Sequence, residues 1–163
     1  MPIRAEGIVQ QKIAVTPYEL AQRFVGTTEV SGSTANPQIL AMLRLDEKWP
    51  KDDEVPWCSG FVNYVAWLLR LPRSKSLRAR SWLEVGVPIP IEAAEAGFDV
   101  LILKRGKGSQ PGPENTTASG HVGFFGGTDG NKVIVLGGNQ NNSVNLAQYP
   151  QSRVLGIRRL SLA

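Results

Sequence analysis

Hydrophobic positions change their spacing partway along the chain. In the first half they recur every three or four residues, as on one face of a helix. In the second half they run together or alternate, as in strands. The strongest helical pattern follows Pro56, where Cys58, Phe61, Val62, Val65, Leu68 and Leu69 share a face before Leu71-Pro72 ends it. Upstream, Thr16-Pro17-Tyr18-Glu19 offers an N-cap threonine, a proline at N1 and a glutamate at N3. That capping box predicts a helix that buries Leu20, Phe24 and Val25 and stops at Gly26. Asn36-Pro37 starts a second short helix through Ile39, Leu40 and Leu43. Another is expected through Leu77, Ala79, Trp82 and Leu83 to Gly86, before the extended Val87-Pro88-Ile89-Pro90. Residues 1 to 15 read as a mixed arm, and residues 46 to 54 as a polar, exposed stretch.

Strands are expected at residues 98 to 104, 121 to 125, 132 to 136 and 153 to 160. Residues 105 to 119, rich in Gly, Pro, Ser, Thr and Asn, form a long loop, and residues 126 to 131 a turn. Helices first and an antiparallel meander second predict an α+β fold, with the N-terminal helices packed on the sheet. At 163 residues this is one domain with one core, the catalytic part spanning 16 to 160. No repeat or interdomain linker is visible.

Composition narrows the chemistry. A single Cys excludes an internal disulfide, and one Cys with one His argues against a structural zinc site. No EF-hand spacing appears, so no metal or cofactor is expected. The net charge of +4 points to an anionic partner (nucleic acid, a membrane surface, or an acidic polymer such as bacterial cell wall) or to solubility alone. No helix-turn-helix, finger or aromatic-basic RNA motif supports nucleic acid. No apolar run reaches the ~18 residues of a membrane span. The start, Met1-Pro2-Ile3-Arg4-Ala5-Glu6-Gly7, lacks an apolar h-region. The chain is therefore expected to be cytoplasmic as made, or to leave by a route that reads no cleavable signal.

The lone Cys58 and the lone His121 carry the candidate chemistry. Cys58 lies in Pro56-Trp57-Cys58-Ser59-Gly60, at a helix start, where unpaired N–H groups and the helix dipole favour a thiolate. The alternative is an inert buried thiol. Small neighbours would let a carbonyl approach, and the N–H of Ser59 or of Cys58 could meet an oxyanion. His121 lies in Gly120-His121-Val122-Gly123, at a strand start, where the glycines would clear space around the ring. Antiparallel pairing brings Leu136-Gly137-Gly138-Asn139-Gln140 near it. Asn139 is the first choice to orient the imidazole and Gln140 the second; otherwise this stretch is only a turn.

The runs Pro56-Trp57-Cys58-Ser59-Gly60-Phe61-Val62-Asn63, Ala79-Arg80-Ser81-Trp82-Leu83, Gly120-His121-Val122-Gly123-Phe124 and Val135-Leu136-Gly137-Gly138-Asn139-Gln140 resemble the papain-like NlpC and CHAP cell-wall peptidases. The likeness is to a small single-domain bacterial and phage branch, and it covers roughly residues 16 to 160. It implies cleavage of an amide or peptide bond in peptidoglycan, with Cys58 as nucleophile, His121 as base and Asn139 as third member. One departure is Ala96-Gly97-Phe98-Asp99, where that group usually has Pro-Gly-Asp. The resemblance leaves the bond open between a D-glutamyl endopeptidase, a muramoyl-alanine amidase and a cross-bridge cleaver. It implies peptidoglycan as partner, and a cognate immunity protein if the enzyme attacks rivals. It implies action in the periplasm or wall after delivery by a holin or a secretion system.

Trp57, Ser59, Trp82 and Gln140 are the candidates for substrate contact, against core packing for the tryptophans. Arg70, Arg73, Lys75, Arg78 and Arg80 form either a contact for wall carboxylates or a solvated face. Two other functions stay open: a thiol acyltransferase or transpeptidase on the same scaffold, and a non-catalytic basic wall-binding module.

Overall fold

Each short N-terminal helix starts on its own cap. In the computed structural model, which describes residues 14–31 and 34–161, the arm expected over 1 to 15 falls almost wholly outside the described residues. Helix α1 (Pro17–Gln22) carries the full capping box: Glu19 N–H donates to Thr16 Oγ1 at 3.1 Å and Thr16 N–H to Glu19 Oε2 at 2.8 Å. Helix α2 (Pro37–Leu43) is capped by Asn36, which accepts from Gln38 N–H at 2.9 Å. Neither is long enough to be stable alone, so packing must hold both. Pro17 and Ala21 are the buried positions of α1, while Leu20 and Phe24 pack at the edge of the core. Val25, expected inside, is exposed because the helix ends at Gln22.

Helix α3 (Cys58–Leu68) is the central element, buried from Cys58 through Asn63 and again at Val65 and Ala66. It lies between α2 and the sheet, which explains why its apolar face is so wide. The helix expected around Trp82 is a 3₁₀ segment, Ala79–Glu84. Its buried anchors Ala79 and Trp82 are three apart, the spacing that eclipses in a 3₁₀ turn.

Six strands form one antiparallel sheet: β1 (Val87–Pro88), β2 (Asp99–Lys104), β3 (Gly120–Asp129), β4 (Lys132–Gln140), β5 (Ser143–Pro150) and β6 (Val154–Arg159), in the order β1-β6-β2-β3-β4-β5. The expected turn at 126 to 131 shrinks to Gly130-Asn131, because β3 and β4 pair as far as Asp129 with Lys132. Strand β5 was not expected. It is an edge strand with only Val144 fully buried, so its apolar signal is weak. The continuous apolar run of β2 serves two faces. Val100 and Ile102 join the helix-side core, while Leu101 and Leu103 join a smaller cluster with Phe125, Val135 and Ile157 on the other face. The architecture is thus α+β, with the helices on one side of an antiparallel sheet.

Candidate active site

The sheet opens where the site lies. On the β2 side, β3 stays paired through His121 with Leu103 and Val122 with Ile102. On the β4 side the register ends at Phe124 with Leu136, leaving His121 and Val122 without a strand partner there. The N-terminus of α3 fills that gap. Gly138 lets it approach: a Cβ there would come within 2.5 Å of the Trp57 ring and 2.9 Å of Phe61 Cβ. The Cys58 thiol then faces two groups from β3, the His121 ring and the Val122 backbone N–H, both of which favour its thiolate.

These contacts set the charge state. Burial pushes the Cys58 thiol up, but its bond to His121, the imidazolium charge and the Val122 N–H outweigh burial, and the net shift is downward. Burial pushes His121 down, but the bond to Cys58, the thiolate charge and a bond to Gln140 outweigh it, and the net shift is upward. Each group thus favours the charged form of the other, a thiolate–imidazolium pair. The first turn of α3 has no side-chain cap, so its N–H groups point at the sulfur end unclaimed by any cap.

Gln140, not Asn139, holds the imidazole. His121 Nε2 lies 2.9 Å from Gln140 Oε1. A register shift between Gly137 and Gln140 turns Gln140 inward and places Asn139 in a left-handed turn conformation, φ 55°. Asn139 lines the rim of a nearby cavity and makes no bond to the ring. The Gln140 amide is oriented by its other contacts. Its Nε2 donates to Asn145 O at 2.8 Å, Asn145 Oδ1 at 3.0 Å and Val135 O at 3.3 Å. With three oxygens facing its nitrogen, its own oxygen must face the ring, so the proton sits on His121 Nε2. That leaves Nδ1 for Cys58. Tyr149 O–H also donates to Gln140 Oε1, at 3.1 Å, and its ring packs 5.5 Å from the imidazole. Burial, then the Cys58 thiolate, pushes the Tyr149 phenol up, so it stays a donor.

The other candidates part from expectation. Trp57 and Trp82 are fully buried and cannot line a groove; Trp57 Nε1 donates to Glu29 at 2.7 Å. The Ser59 side chain is also buried: it donates to Ser76 O at 2.6 Å and accepts from Trp82 Nε1 at 2.9 Å. The side chains of these three support the core rather than touch substrate. Gly120 and Gly123 do not clear the ring either. A Cβ at Gly120 would meet Arg80 at 2.9 Å, and one at Gly123 would meet Val135 at 2.4 Å. Gly137 makes the room, with a hypothetical Cβ 3.0 Å from Gln140 Oε1 and 3.4 Å from His121 Nε2. Arg80 is no solvated cation: it is buried and donates to the carbonyls of Pro111, Gly112, Asn115 and Ser119, clamping the loop that leads to His121. Asn145 and Tyr149 were missed because both belong to the unexpected β5.

A cavity of about 320 Å³ opens beside the ring, lined by His121, Gln140, Asn139 and Tyr149 and by the cations Lys104, Arg105 and Arg153. Among the described residues, no group of three or more His, Cys, Asp or Glu converges as a metal site would require. No helix of the described residues is long and apolar enough to cross a membrane.

No family model matches the chain, and no curated protein matches it. Among solved structures, its fold is similar to that of NlpC1 from Trichomonas vaginalis, with a TM-score of 0.54 at 16% identity, over 93% of this chain and 47% of that one. The chain spans about half the length of that protein. The shared feature is an NlpC-like arrangement of few helices on an antiparallel sheet.

Proposed function

We propose that this protein is a cysteine peptidase or amidase that cuts an amide bond of the peptidoglycan stem peptide. The observation that carries the reading is the contact of a lone buried thiol with a lone imidazole, whose far nitrogen is held by Gln140. An inert core thiol needs no such partner.

In this mechanism His121 Nδ1 takes the thiol proton and the Cys58 thiolate attacks the amide carbonyl. The oxyanion forms against first-turn N–H groups of α3, those of Cys58 and Ser59 being the candidates. The imidazolium returns the proton to the leaving amine, and a carbon–sulfur thioester remains. Water, deprotonated by His121, then frees the acid and restores the thiol. Gln140 keeps Nε2 protonated throughout, so Nδ1 always faces the reaction. The cations Lys104, Arg105 and Arg153 suit a substrate that carries carboxylates, as stem peptides do.

The test is lysis of purified cell wall, with mass spectrometry of the released fragments to name the bond. Cys58→Ala and His121→Ala should each abolish release. Lysis retained by either variant would remove the dyad. Iodoacetamide at mildly acidic pH should label Cys58 faster than a free thiol, and a silent thiol would mark it as inert core.

A further inference from the structure

The cation-rich segment after α3 lies apart from the dyad. Trp67, Leu68, Arg70, Leu71, Arg73 and Lys75 line an open cavity of about 530 Å³ at the C-terminal end of that helix. Cys58 starts the helix, so about 14 Å of helix axis separates it from Trp67.

The cavity combines features that ordinary surface does not need. Its apolar wall is exposed, with Trp67 at 48% and Leu68 at 43%, whereas Trp57 and Trp82 are fully buried. Among the described residues, no acidic residue lines it. Its cations are unequally committed. Arg73 is held by Asp46 through two bonds, at 2.8 and 3.1 Å. Arg70 and Lys75 are exposed, and among the described residues their side chains have no hydrogen-bond or ion-pair partner. Both have a left-handed backbone, each at φ 56°; at Arg70 this closes α3, with Leu71 N–H bonded back to Ala66 O at 2.9 Å, and it turns the chain into the cavity wall. Offsetting the negative end of the α3 dipole would account for cations there, but not for an exposed indole beside them or for a concave wall.

We propose that this cavity binds an acidic saccharide, its ring laid on the Trp67 indole and its carboxylate held by Arg70 and Lys75. An indole face suits the apolar face of a sugar, and two free cations suit an anion. Nucleic acid fits less well, because single-strand readers present several aromatic platforms in a row and this wall has one. The site deepens the proposed function, on which it rests for the source of the sugar, an acidic wall glycan. Binding itself does not involve Cys58. The cavity would hold the enzyme on polymer while the other end of the same rigid helix works on peptide.

Calorimetric titration of the full chain with oligogalacturonate, against neutral chito-oligosaccharide and poly-glutamate, tests it. Oligogalacturonate should bind, more weakly as salt rises. Arg70→Asn, Lys75→Asn and Trp67→Ser should each weaken it roughly tenfold, the two cation variants with an unchanged melting temperature. Asparagine is chosen because it tolerates the left-handed backbone. No binding of oligogalacturonate, or binding indifferent to these substitutions, overturns the site. Equal binding of the neutral sugar overturns the role of charge, and equal binding of poly-glutamate overturns the saccharide. Binding that persists in a chain unable to cut wall would refute the peptidase reading and leave the site standing; cutting without binding would do the reverse.

Discussion

Two buried polar networks flank the Cys58 thiol, and they differ in what they hold. The first lies under α3. Asn63 Nδ2 donates to Ser59 O and Ser76 O, each at 3.1 Å, Asn63 Oδ1 accepts from Lys75 N–H at 3.0 Å, and Trp82 reaches Ser59 Oγ at 2.9 Å. None of the side chains that bond there titrates near neutrality. The second lies across the β3–β4 gap, from Asn145 through Gln140 to His121, with Tyr149 alongside. Among the described residues, no buried side-chain polar atom lacks a partner. Both networks therefore obey the same rule of satisfied burial. The first spends its bonds on shape. The second spends them on the position of one proton. Mutations should separate the two: stability should fall in one and activity in the other.

The largest effect should come from the dyad. Cys58→Ala should lower turnover by about 10⁴-fold or more while leaving the fold intact, as read by amide hydrolysis and by melting temperature. The wild-type pH profile should be bell-shaped. Its acid limb, where Cys58 loses its proton, should lie below the ordinary thiol range, because the net shift of Cys58 is downward. Its alkaline limb, where His121 loses its proton, should lie above the ordinary imidazole range, because the net shift of His121 is upward. An acid limb at the ordinary thiol value would mean that no ion pair forms.

Gln140→Ala comes next, with a loss of about 10²-fold in turnover. It removes one of the contacts that raise His121, so the alkaline limb should move down. Asn139→Gly, which keeps the left-handed backbone free of strain, should leave both rate and limb near wild type, since Asn139 makes no bond to the ring. If the two variants behaved alike, the assignment of the third residue would have to be reversed.

How much of this was legible follows from the same contrast. The helix-side elements were readable because their signals are local. Thr16 and Asn36 cap, Pro56 precedes the helix start, and the apolar spacing of α3 is regular. The place of Cys58 at the first turn of α3 came with them. The imidazole's partner was not readable, because it depends on a register shift between Gly137 and Gln140 that moves the side chains one step off simple alternation. The expectation of Asn139 assumed an unbroken ladder. The roles given to Trp57, Ser59 and Trp82 failed for a related reason. Adjacency to Cys58 suggested substrate contact for Ser59, and the grip of an indole on sugars and peptides suggested it for Trp57 and Trp82, but a helix start wedged into a sheet buries all three side chains.

Asn63→Ala probes the first network. It leaves the N–H of Lys75 without its acceptor in a part-buried setting and removes the Asn63 bonds to the Ser59 and Ser76 carbonyls, a loss of about 2 kcal/mol. Chemical denaturation should show this, and below the melting transition the folded fraction should keep wild-type turnover. A fall in turnover without a fall in stability would show that the network under α3 reaches the thiol, and the contrast between the two networks would collapse.

Tyr149→Phe should have the smallest effect, and it is the most discriminating. The phenol shares Gln140 Oε1 with the imidazole, at 3.1 Å against 2.9 Å. Removing it leaves that oxygen to His121 alone, so the Gln140–His121 bond should tighten slightly. The alkaline limb should then hold or rise, with turnover changed by about threefold or less. The aromatic ring remains, so its packing on the imidazole is kept. Tyr149 also lines the cavity beside the ring. A loss as large as that of Gln140→Ala, with the limb unmoved and KM raised, would mean that the hydroxyl meets substrate instead of tuning the acceptor. The second network would then extend from the proton on Nε2 to the bound peptide itself.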